Sequence, residues 1–377
     1  MTKPTLLILS FSPIASDARL LKQIAALGDR FELTTLGYGE RPNGVHEHIR
    51  LPDDRVYWRY DRLGVVLRRY RRAYWTNPAV SFVSETVRPG AFDAVLANDI
   101  DTVGVALALR PRHGVHADLH EYAPRQKEDV PRWRRFVAPF VRWMCRTFLP
   151  QVRSLTTVGA GIAREYEARF GVHADVVTNS APFADLHPVP VSAPIRLVHS
   201  GACLPGRGID QIVDAVGRTR ADVTLDLYLM PNDPGFLERL RVAAAADARI
   251  RLHDAVPYER LIATLNDYDV GVHILPPVNF NNAWALPNKF FDYIQARLGV
   301  IIGPSPEMKA LVEERGFGAV ATGFDAESLV RVLDELSAER VSEWKRRADA
   351  AAHDLSAQSQ VEVWRRRLIE LVERGEG

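Results

Sequence analysis

The chain has 377 residues with a formal net charge of +1, and 47% of its residues are hydrophobic. This length predicts two domains, each large enough to bury its own core. A nearly neutral chain without a known binding motif argues against nucleic-acid recognition. No apolar run approaches the roughly 18 residues of a membrane span. The cysteines, Cys145 and Cys203, form neither a CxxC pair nor a disulfide framework, so we expect two buried thiols in a cytoplasmic protein.

The first half of the chain alternates strands and helices. Residues 5–11 predict a buried strand, residues 17–27 an amphipathic helix and residues 31–36 the next strand. Further strands are predicted at residues 94–97, 115–119, 155–158 and 175–177. This spacing is typical of a parallel sheet, which binds its ligands at the carboxyl ends of the strands.

Two basic segments rich in aromatic residues also lie in this half. Residues 50–75 carry eight arginines against three aspartates, and residues 131–153 carry six arginines and no acid. Arginines around an aromatic face suit an anionic membrane surface, which we expect these segments to contact. The alternative is a pair of helices that pack their aromatic side chains into the core and keep a solvated basic face.

Polar residues end two of the predicted strands, at residues 98–101 (NDID) and 118–121 (DLHE). In a parallel sheet such residues point into the ligand cleft. The DID triplet, like DYD at residues 267–269, imitates a metal-binding pair of aspartates. Neither has a further carboxylate or histidine at metal spacing, so we interpret them as a helix cap and a turn, and we predict no metal site.

Residues 179–194 contain four prolines and no periodicity, which predicts the linker between the domains. A strand at 195–199 then leads into a glycine-containing loop and a helix. Gly201 lets the backbone approach a phosphate, and Arg207 offers it a planar fork of donors. Later strands are predicted at 225–230, 250–252, 270–275 and 300–303, and a helical region at 327–373 is broken near 355–359.

The most informative stretch is LPNKFFDY at residues 286–293, where Pro287 is predicted to occupy the first position of a helix. A helix start favours a phosphate, and Lys289 adds a full charge beside its N–H groups. Lys289 and Asp292 project from one face, so the cation can meet a diphosphate and the carboxylate a ribose. The alternative is an ordinary amphipathic helix with a Lys–Asp surface pair.

These motifs resemble glycosyltransferase family 4, whose members use nucleotide sugars. The resemblance rests on the helix at Asp17 to Arg19, the strand ends at 98–102 and 118–121, the loop at 201–210 and residues 287–293. It implies two facing Rossmann-like domains with an interdomain cleft, the GT-B fold. It also implies an acceptor-binding domain at residues 1–186, a donor-binding domain at 187–355 and a helix at 356–377 that packs back on the first domain.

The resemblance implies a hexosyltransferase-type enzyme of class EC 2.4, which moves a sugar from a UDP- or GDP-sugar to a saccharide or lipid-linked acceptor hydroxyl. Such transfer would be retaining and metal-independent, with no cofactor, and would serve cell-surface polysaccharide or glycolipid assembly at the inner face of the membrane. The implied catalytic residues are His120, Arg207 and Lys289. The implied donor-binding residues are Gly201, Arg207, His253, Asn288, Lys289 and Asp292.

Two departures from the family pattern keep rival functions open. Trp284 stands where the family has the first glutamate of its E-x7-E pattern, and Ala202 stands where it has an arginine. A non-catalytic relative that binds the donor or a partner enzyme is therefore one alternative. A sugar-nucleotide epimerase of the same fold is another. His120 also has the alternative of a buried, hydrogen-bonded structural histidine.

Overall fold

The computed structural model describes residues 3–373 and divides them into two compact units. The first unit holds the chain up to Thr178, residues 279–281 and the part from Gln360 onward. The second holds residues 179–278 and 282–359. No helix among the described residues is long and apolar enough to cross a membrane.

The first unit is built on a parallel sheet of seven strands in the order β3-β2-β1-β4-β5-β6-β7. The strands are β1 (Thr5–Pro13), β2 (Glu32–Tyr38), β3 (Glu47–Arg50), β4 (Ala94–Asn98), β5 (Gly114–Leu119), β6 (Ser154–Thr157) and β7 (Asp175–Val176). The helices between them are α1 (Ala18–Leu27), α2 (Arg62–Val66), α3 (Tyr70–Trp75), α4 (Pro78–Thr86), α5 (Ile100–Ala108), α6 (Ala138–Phe148) and α7 (Ala160–Phe170).

The second unit has a parallel sheet of six strands in the order β10-β9-β8-β11-β12-β13. The strands are β8 (Ile195–Ala202), β9 (Val223–Met230), β10 (Ile250–Asp254), β11 (Val270–His273), β12 (Gly299–Ile302) and β13 (Gly318–Val320). Its helices are α8 (Ile209–Arg218), α9 (Pro234–Ala245), α10 (Tyr258–Asn266), α12 (Asn288–Gln295), α13 (Pro306–Arg315), α14 (Ala326–Leu333) and α15 (Ala338–Ala352). Two helices are divided between the units: α11 (Phe280–Ala283), and α16 (Ala357–Glu373), most of which belongs to the first unit.

The sequence explains where these elements start and which faces they bury. Asp17 caps α1, since its carboxylate accepts the backbone N–H groups of Arg19 and Leu20. Neighbouring residues of β8 serve opposite faces of the sheet: Leu197 packs in one buried cluster and Val198 in the other. In the first unit, Leu368 of α16 joins the core cluster that contains Leu6. Each sheet is therefore covered by apolar helix faces.

The predicted α/β class with two parallel sheets is confirmed, and so are the two buried cysteines. The prediction that Pro287 opens a helix needs a small correction. Pro287 is the cap before α12, with φ −75° and ψ 152°, and Asn288 is the first helical residue. The extended ψ places Pro287 outside the helix, so Lys289 is the second helical residue and still lies in the first turn.

Candidate active site

The loop from β8 to α8 is held close to the end of β11 and to Lys289 by glycines. A Cβ at Gly208 would lie 2.2 Å from the Ile274 carbonyl oxygen, and its φ is +71°. A Cβ at Gly201, where φ is +130°, would lie 2.8 Å from the Lys289 Nζ atom. A side chain at position 208 would collide with the backbone, and one at position 201 would displace the Lys289 ammonium group, so glycine at 201 allows Lys289 to lie across the end of β8.

The Lys289 ammonium group contacts a neutral histidine. Its Nζ lies 3.3 Å from His199 Nε2, while His199 Nδ1 lies 2.8 Å from the Val272 carbonyl oxygen. Since a carbonyl only accepts hydrogen bonds, Nδ1 carries the proton and Nε2 accepts from Lys289. Burial and the charge of Lys289 hold the pKa of His199 well below its usual range, which keeps the ring neutral.

The Lys289 side chain has a pKa close to neutral pH. Burial, together with the nearby charge of Arg207, lowers its pKa to about 7, although Asp292 opposes this shift. Neither Lys289 nor Arg207 lies within 4.0 Å of a carboxylate oxygen among residues 3–373, so neither is in a salt bridge. His273, whose ring centroid lies 6.0 Å from that of His199, has no hydrogen-bond partner for either ring nitrogen within the described chain. The site therefore gathers two cations, Lys289 and Arg207, beside two neutral imidazoles, and neither cation is in a salt bridge among the described residues.

The same helix start places a carboxylate one turn further on. Asp292 is only 3% exposed, which excludes the predicted alternative of a Lys–Asp pair on the surface. Tyr258, the first residue of α10, lies close enough to the Asp292 carboxylate for its hydroxyl to feel that charge. Burial and the Asp292 charge raise the pKa of Tyr258, so it stays a neutral donor. Tyr258 is a site residue that the sequence did not predict, although its position after a strand of the sheet is a signal.

Two further residues, Asn288 and His253, are predicted from the sequence to bind the nucleotide-sugar donor. Only the first is next to Lys289. Asn288 is the exposed first residue of α12 and is adjacent to Lys289. His253 lies on β10, the strand at the edge of the sheet, where it pairs with Asp226 and stacks on Tyr228 at 4.7 Å between ring centroids. The structure thus brings Gly201, Arg207 and Lys289 together but gives His253 other partners. Its contact with a donor base stays a prediction.

The strand ends of the first unit form a second polar cluster, which includes His120. The His120 ring lies 3.3 Å from the Asp99 carboxylate, 3.5 Å from that of Asp118 and 3.1 Å from the Asn98 side-chain oxygen. Burial alone would lower the pKa of His120, but the two carboxylates raise it above its usual value. A histidine fixed by three partners orients a ligand better than it accepts a proton, and its catalytic role stays a prediction.

The predicted aspartate cap next to His120 also needs correction. Asp99 does precede α5, but its side chain accepts the backbone N–H of His120 at 3.0 Å and makes no cap hydrogen bond. Its φ of +62° lies in the left-handed region, which costs energy in a non-glycine residue. The strained turn holds His120 at the carboxyl end of β5. The DID triplet thus serves to position His120.

Comparison with known proteins shows the fold. No family model and no curated protein matches the sequence. Among solved structures, sucrose-phosphate synthase from Thermosynechococcus elongatus has a TM-score of 0.73 at 12% identity, over 99% of this chain and 100% of that one. HepE of Anabaena, in complex with UDP, has a TM-score of 0.71 at 14% identity, over 97% and 100% of the two chains.

The α,α-trehalose 6-phosphate synthase of Burkholderia multivorans has a TM-score of 0.67 at 14% identity, over 99% of this chain and 100% of that one. These matches span both units and nearly the full length of every chain compared. The chain therefore has the GT-B fold that its sequence predicts.

Proposed function

We propose that the chain is a glycosyltransferase that moves a sugar from a nucleoside-diphosphate sugar to an acceptor hydroxyl. The observation that carries the proposal is the pair of cations formed by Lys289, in the first turn of α12, and Arg207, in the loop from β8 to α8, whose charge acts on Lys289. Neither is in a salt bridge among the described residues. A helix N-terminus with two added cations is a site for a diphosphate. The GT-B fold supports a nucleotide-sugar donor, and HepE of that fold is solved with UDP-glucose.

The charges of this site match the chemical difficulty of the reaction. As the bond from the sugar's anomeric carbon to the phosphate oxygen breaks, its electron pair remains on the diphosphate. Lys289, Arg207 and the α12 N–H groups stabilise that growing negative charge. The acceptor oxygen forms the new bond and loses its proton, for which the departing phosphate oxygen is a base. Asp292 holds the ribose and so fixes the position of the anomeric carbon.

The proposal also covers the metal requirement, the stereochemistry, the biological role and the function of His120. We propose that transfer is metal-independent, because Lys289 and Arg207 supply the positive charge that the leaving group needs. Retention of anomeric configuration and a role in surface polysaccharide or glycolipid assembly at the inner face of the membrane rest on the resemblance to glycosyltransferase family 4. His120 is proposed as a hydrogen-bond partner of the transferred sugar.

The first experiment is a thermal-shift panel of UDP, GDP and their sugars, with and without a chelator. A nucleotide at one hundred times its dissociation constant stabilises the folded protein by about 2.7 kcal/mol. Stabilisation that survives the chelator supports the metal-independent donor site, and release of free nucleotide in the presence of a sugar acceptor supports transfer. An isomerised donor without nucleotide release would indicate an epimerase instead. No shift with any nucleotide would contradict the donor site.

Below pH 7, where Lys289 is protonated, Asp292→Ala should weaken UDP binding but leave inorganic pyrophosphate binding unchanged. Pyrophosphate has no ribose, so it loses nothing when the carboxylate is removed. Hydrogen bonds to a charged group contribute about 1.5–3 kcal/mol, which predicts a 10- to 100-fold loss for UDP. Isothermal titration of both ligands measures the difference. Equal losses for the two ligands would show that Asp292 acts on the phosphate site and not on the ribose.

Affinity for UDP should fall as the pH rises above 7. Lys289 has a pKa of about 7 in the free protein, and a bound diphosphate raises it because opposite charges favour the protonated form. Binding above pH 7 must therefore take up a proton, at a loss of up to about tenfold in affinity per pH unit. The ligand's terminal phosphate, with a pKa of about 6, is already ionised there.

The control for this pH dependence is Lys289→Arg, which keeps the charge at every pH in the range. Its affinity should stay flat where that of the wild type declines. Titrations in two buffers of different ionisation enthalpy count the protons taken up on binding. A wild-type profile as flat as that of Lys289→Arg would show that Lys289 is fully charged before the ligand arrives.

A further inference from the structure

The first unit carries a basic surface that the donor site does not use. It is formed by residues 58–72 and 130–137, which we call the arginine face. The face contains nine arginines and one acid, Asp61. Six of these arginines lie in residues 58–72 and three in residues 130–137, and all nine are exposed. Only Arg72, at 3.9 Å from Asp61, lies within 4.0 Å of a carboxylate in the part of the chain that the structure describes.

Apolar side chains stand among these arginines. Trp58 is 64% exposed, Leu63 73% and Leu67 60%. The two segments join in a groove, although about sixty residues separate them in sequence. Its walls include Trp58, Arg62, Val66, Val130, Arg132 and Phe136. Exposed apolar side chains ringed by cations mark an interaction surface rather than ordinary solvated loops.

The neighbouring helix α6 buries aromatic side chains, which narrows the membrane-contacting surface that the sequence predicts. In α6 the aromatic side chains of Phe140 and Phe148 are buried, and Phe148 packs against Tyr74 at 4.9 Å between ring centroids. Within residues 131–153, α6 therefore matches the alternative interpretation, a helix that packs its aromatic side chains into the core and keeps a basic face outside. The predicted contact surface is therefore reduced to the arginine face and a second groove that continues from it. That groove is lined by Arg68, Arg69, Arg71 and Arg72 of the face and by Trp75 and Trp143 outside it.

We propose that the arginine face docks the protein on an anionic phospholipid surface. Guanidinium groups bind phosphate through two parallel hydrogen bonds, and the unpaired arginines leave that capacity unused. Trp58, Leu63 and Leu67 bury apolar area at the boundary between headgroups and acyl chains. Single-stranded nucleic acid is bound mainly through stacking on aromatic side chains, whereas two of these three exposed apolar residues are leucines, which favours lipid over that alternative. The face lies in the first unit, so this inference does not depend on the diphosphate site of the second.

The test is co-sedimentation of the whole chain with vesicles of phosphatidylcholine alone or of equimolar phosphatidylcholine and phosphatidylglycerol. We expect binding to the anionic vesicles only. Raising the salt from 0.1 M to 1 M shortens the Debye length from about 10 Å to about 3 Å and should release most of the protein. Equal binding to both vesicles, or binding to single-stranded nucleic acid but to neither vesicle, would overturn the proposal.

A triple variant, Arg62→Gln with Arg71→Gln and Arg132→Gln, tests the face directly. Each arginine near an anionic surface is worth about fivefold in partitioning, so the variant should bind about 100-fold less. The matched control removes three exposed arginines from outside the face, at Arg88, Arg220 and Arg251, and should bind like the wild type. Similar losses in the two triple variants would show that only net charge matters and would overturn the assignment of the face.

Two further variants separate charge from apolar contact. Arg68 has a φ of +56°, a conformation that suits glycine, so Arg68→Gly removes one cation without straining the backbone and should reduce binding about fivefold. Leu63→Ser with Leu67→Ser keeps every charge and should reduce binding about tenfold. Full binding by the double serine variant would contradict insertion of the apolar side chains. Binding of UDP by each variant, measured in parallel, shows whether the donor site is intact.

Discussion

Lys289→Ala should weaken binding of both UDP and inorganic pyrophosphate about 100-fold. A charge-assisted hydrogen bond contributes about 1.5–3 kcal/mol, and the ammonium group also supplies long-range attraction in a poorly solvated site. The loss extends to pyrophosphate because Lys289 is assigned to the phosphates, in contrast to Asp292. Isothermal titration at pH 6.5 to 7, where about half or more of the Lys289 side chains are charged, gives the clearest difference.

The free Lys289→Ala protein should unfold at a temperature no lower than that of the wild type. Burial already disfavours the Lys289 charge, as its lowered pKa shows, so removing it relieves a cost in the free protein. Lost affinity together with undiminished stability would therefore identify a ligand-binding role. Lys309→Ala is the control, because that lysine lies on the surface of α13 and pairs with Glu313 at 3.7 Å. If Lys289→Ala bound UDP as tightly as Lys309→Ala does, the assignment of Lys289 to an anion site would be wrong.

The sequence predicts much of this fold because apolar runs and turn residues are local signals. It misses β3, Glu47–Arg50, since the sequence EHIR is polar and becomes a strand only by pairing with β2 at the sheet edge. It also misses β13, a three-residue strand beside β12. Such edge strands are set by their partners in the sheet and not by their own composition.

The candidate site is predictable only in part for a similar reason. Pro287, Lys289 and Asp292 lie within one helical turn or so, and their spacing is visible in the chain. The contact of Lys289 with His199 joins residues 90 positions apart, and it depends on the register of β8 against β11. His199 sits in an apolar strand and looks like an ordinary core residue. Long-range polar contacts of this kind need the sheet register, which no local pattern supplies.

Asp118→Asn should destabilise the first unit by about 3–5 kcal/mol. Asp118 forms two hydrogen bonds of 2.7 Å with the Arg19 guanidinium, and both side chains are buried, at 0% and 6% exposed. Removing one partner of such a pair leaves the other charge buried without compensation. Arg19 cannot move to solvent easily, because it also donates to the Val177 carbonyl oxygen at 2.9 Å and lies 4.8 Å from the Trp364 ring centroid.

The measurement is urea unfolding followed by tryptophan fluorescence, to which Trp364 of the buried network contributes. Asp214→Asn breaks the exposed Arg218 pair and should cost less than about 0.5 kcal/mol, which controls for the loss of a surface charge. Combining Arg19→Met with Asp118→Leu should restore part of the stability, because the buried ion pair is then removed as a whole, while Gln23 and Thr156 lose an acceptor. A double variant as unstable as Asp118→Asn would show that packing, and not the uncompensated arginine, causes the loss.

The Arg19–Asp118 ion pair also predicts how the stability difference between wild type and Asp118→Asn depends on pH. Burial alone would raise the pKa of Asp118, but Arg19 and the hydrogen bonds from His120 and Arg19 lower it well below its usual range. An aspartate in the unfolded chain has a pKa of about 3.9, so this stabilisation is complete above that pH and declines as the pH falls toward the folded value. The stability gap between wild type and Asp118→Asn should therefore hold at neutral pH and narrow in acid. A gap that instead widened in acid would mean that Asp118 is protonated in the folded protein, and the ion pair with Arg19 would then be the wrong account of the network.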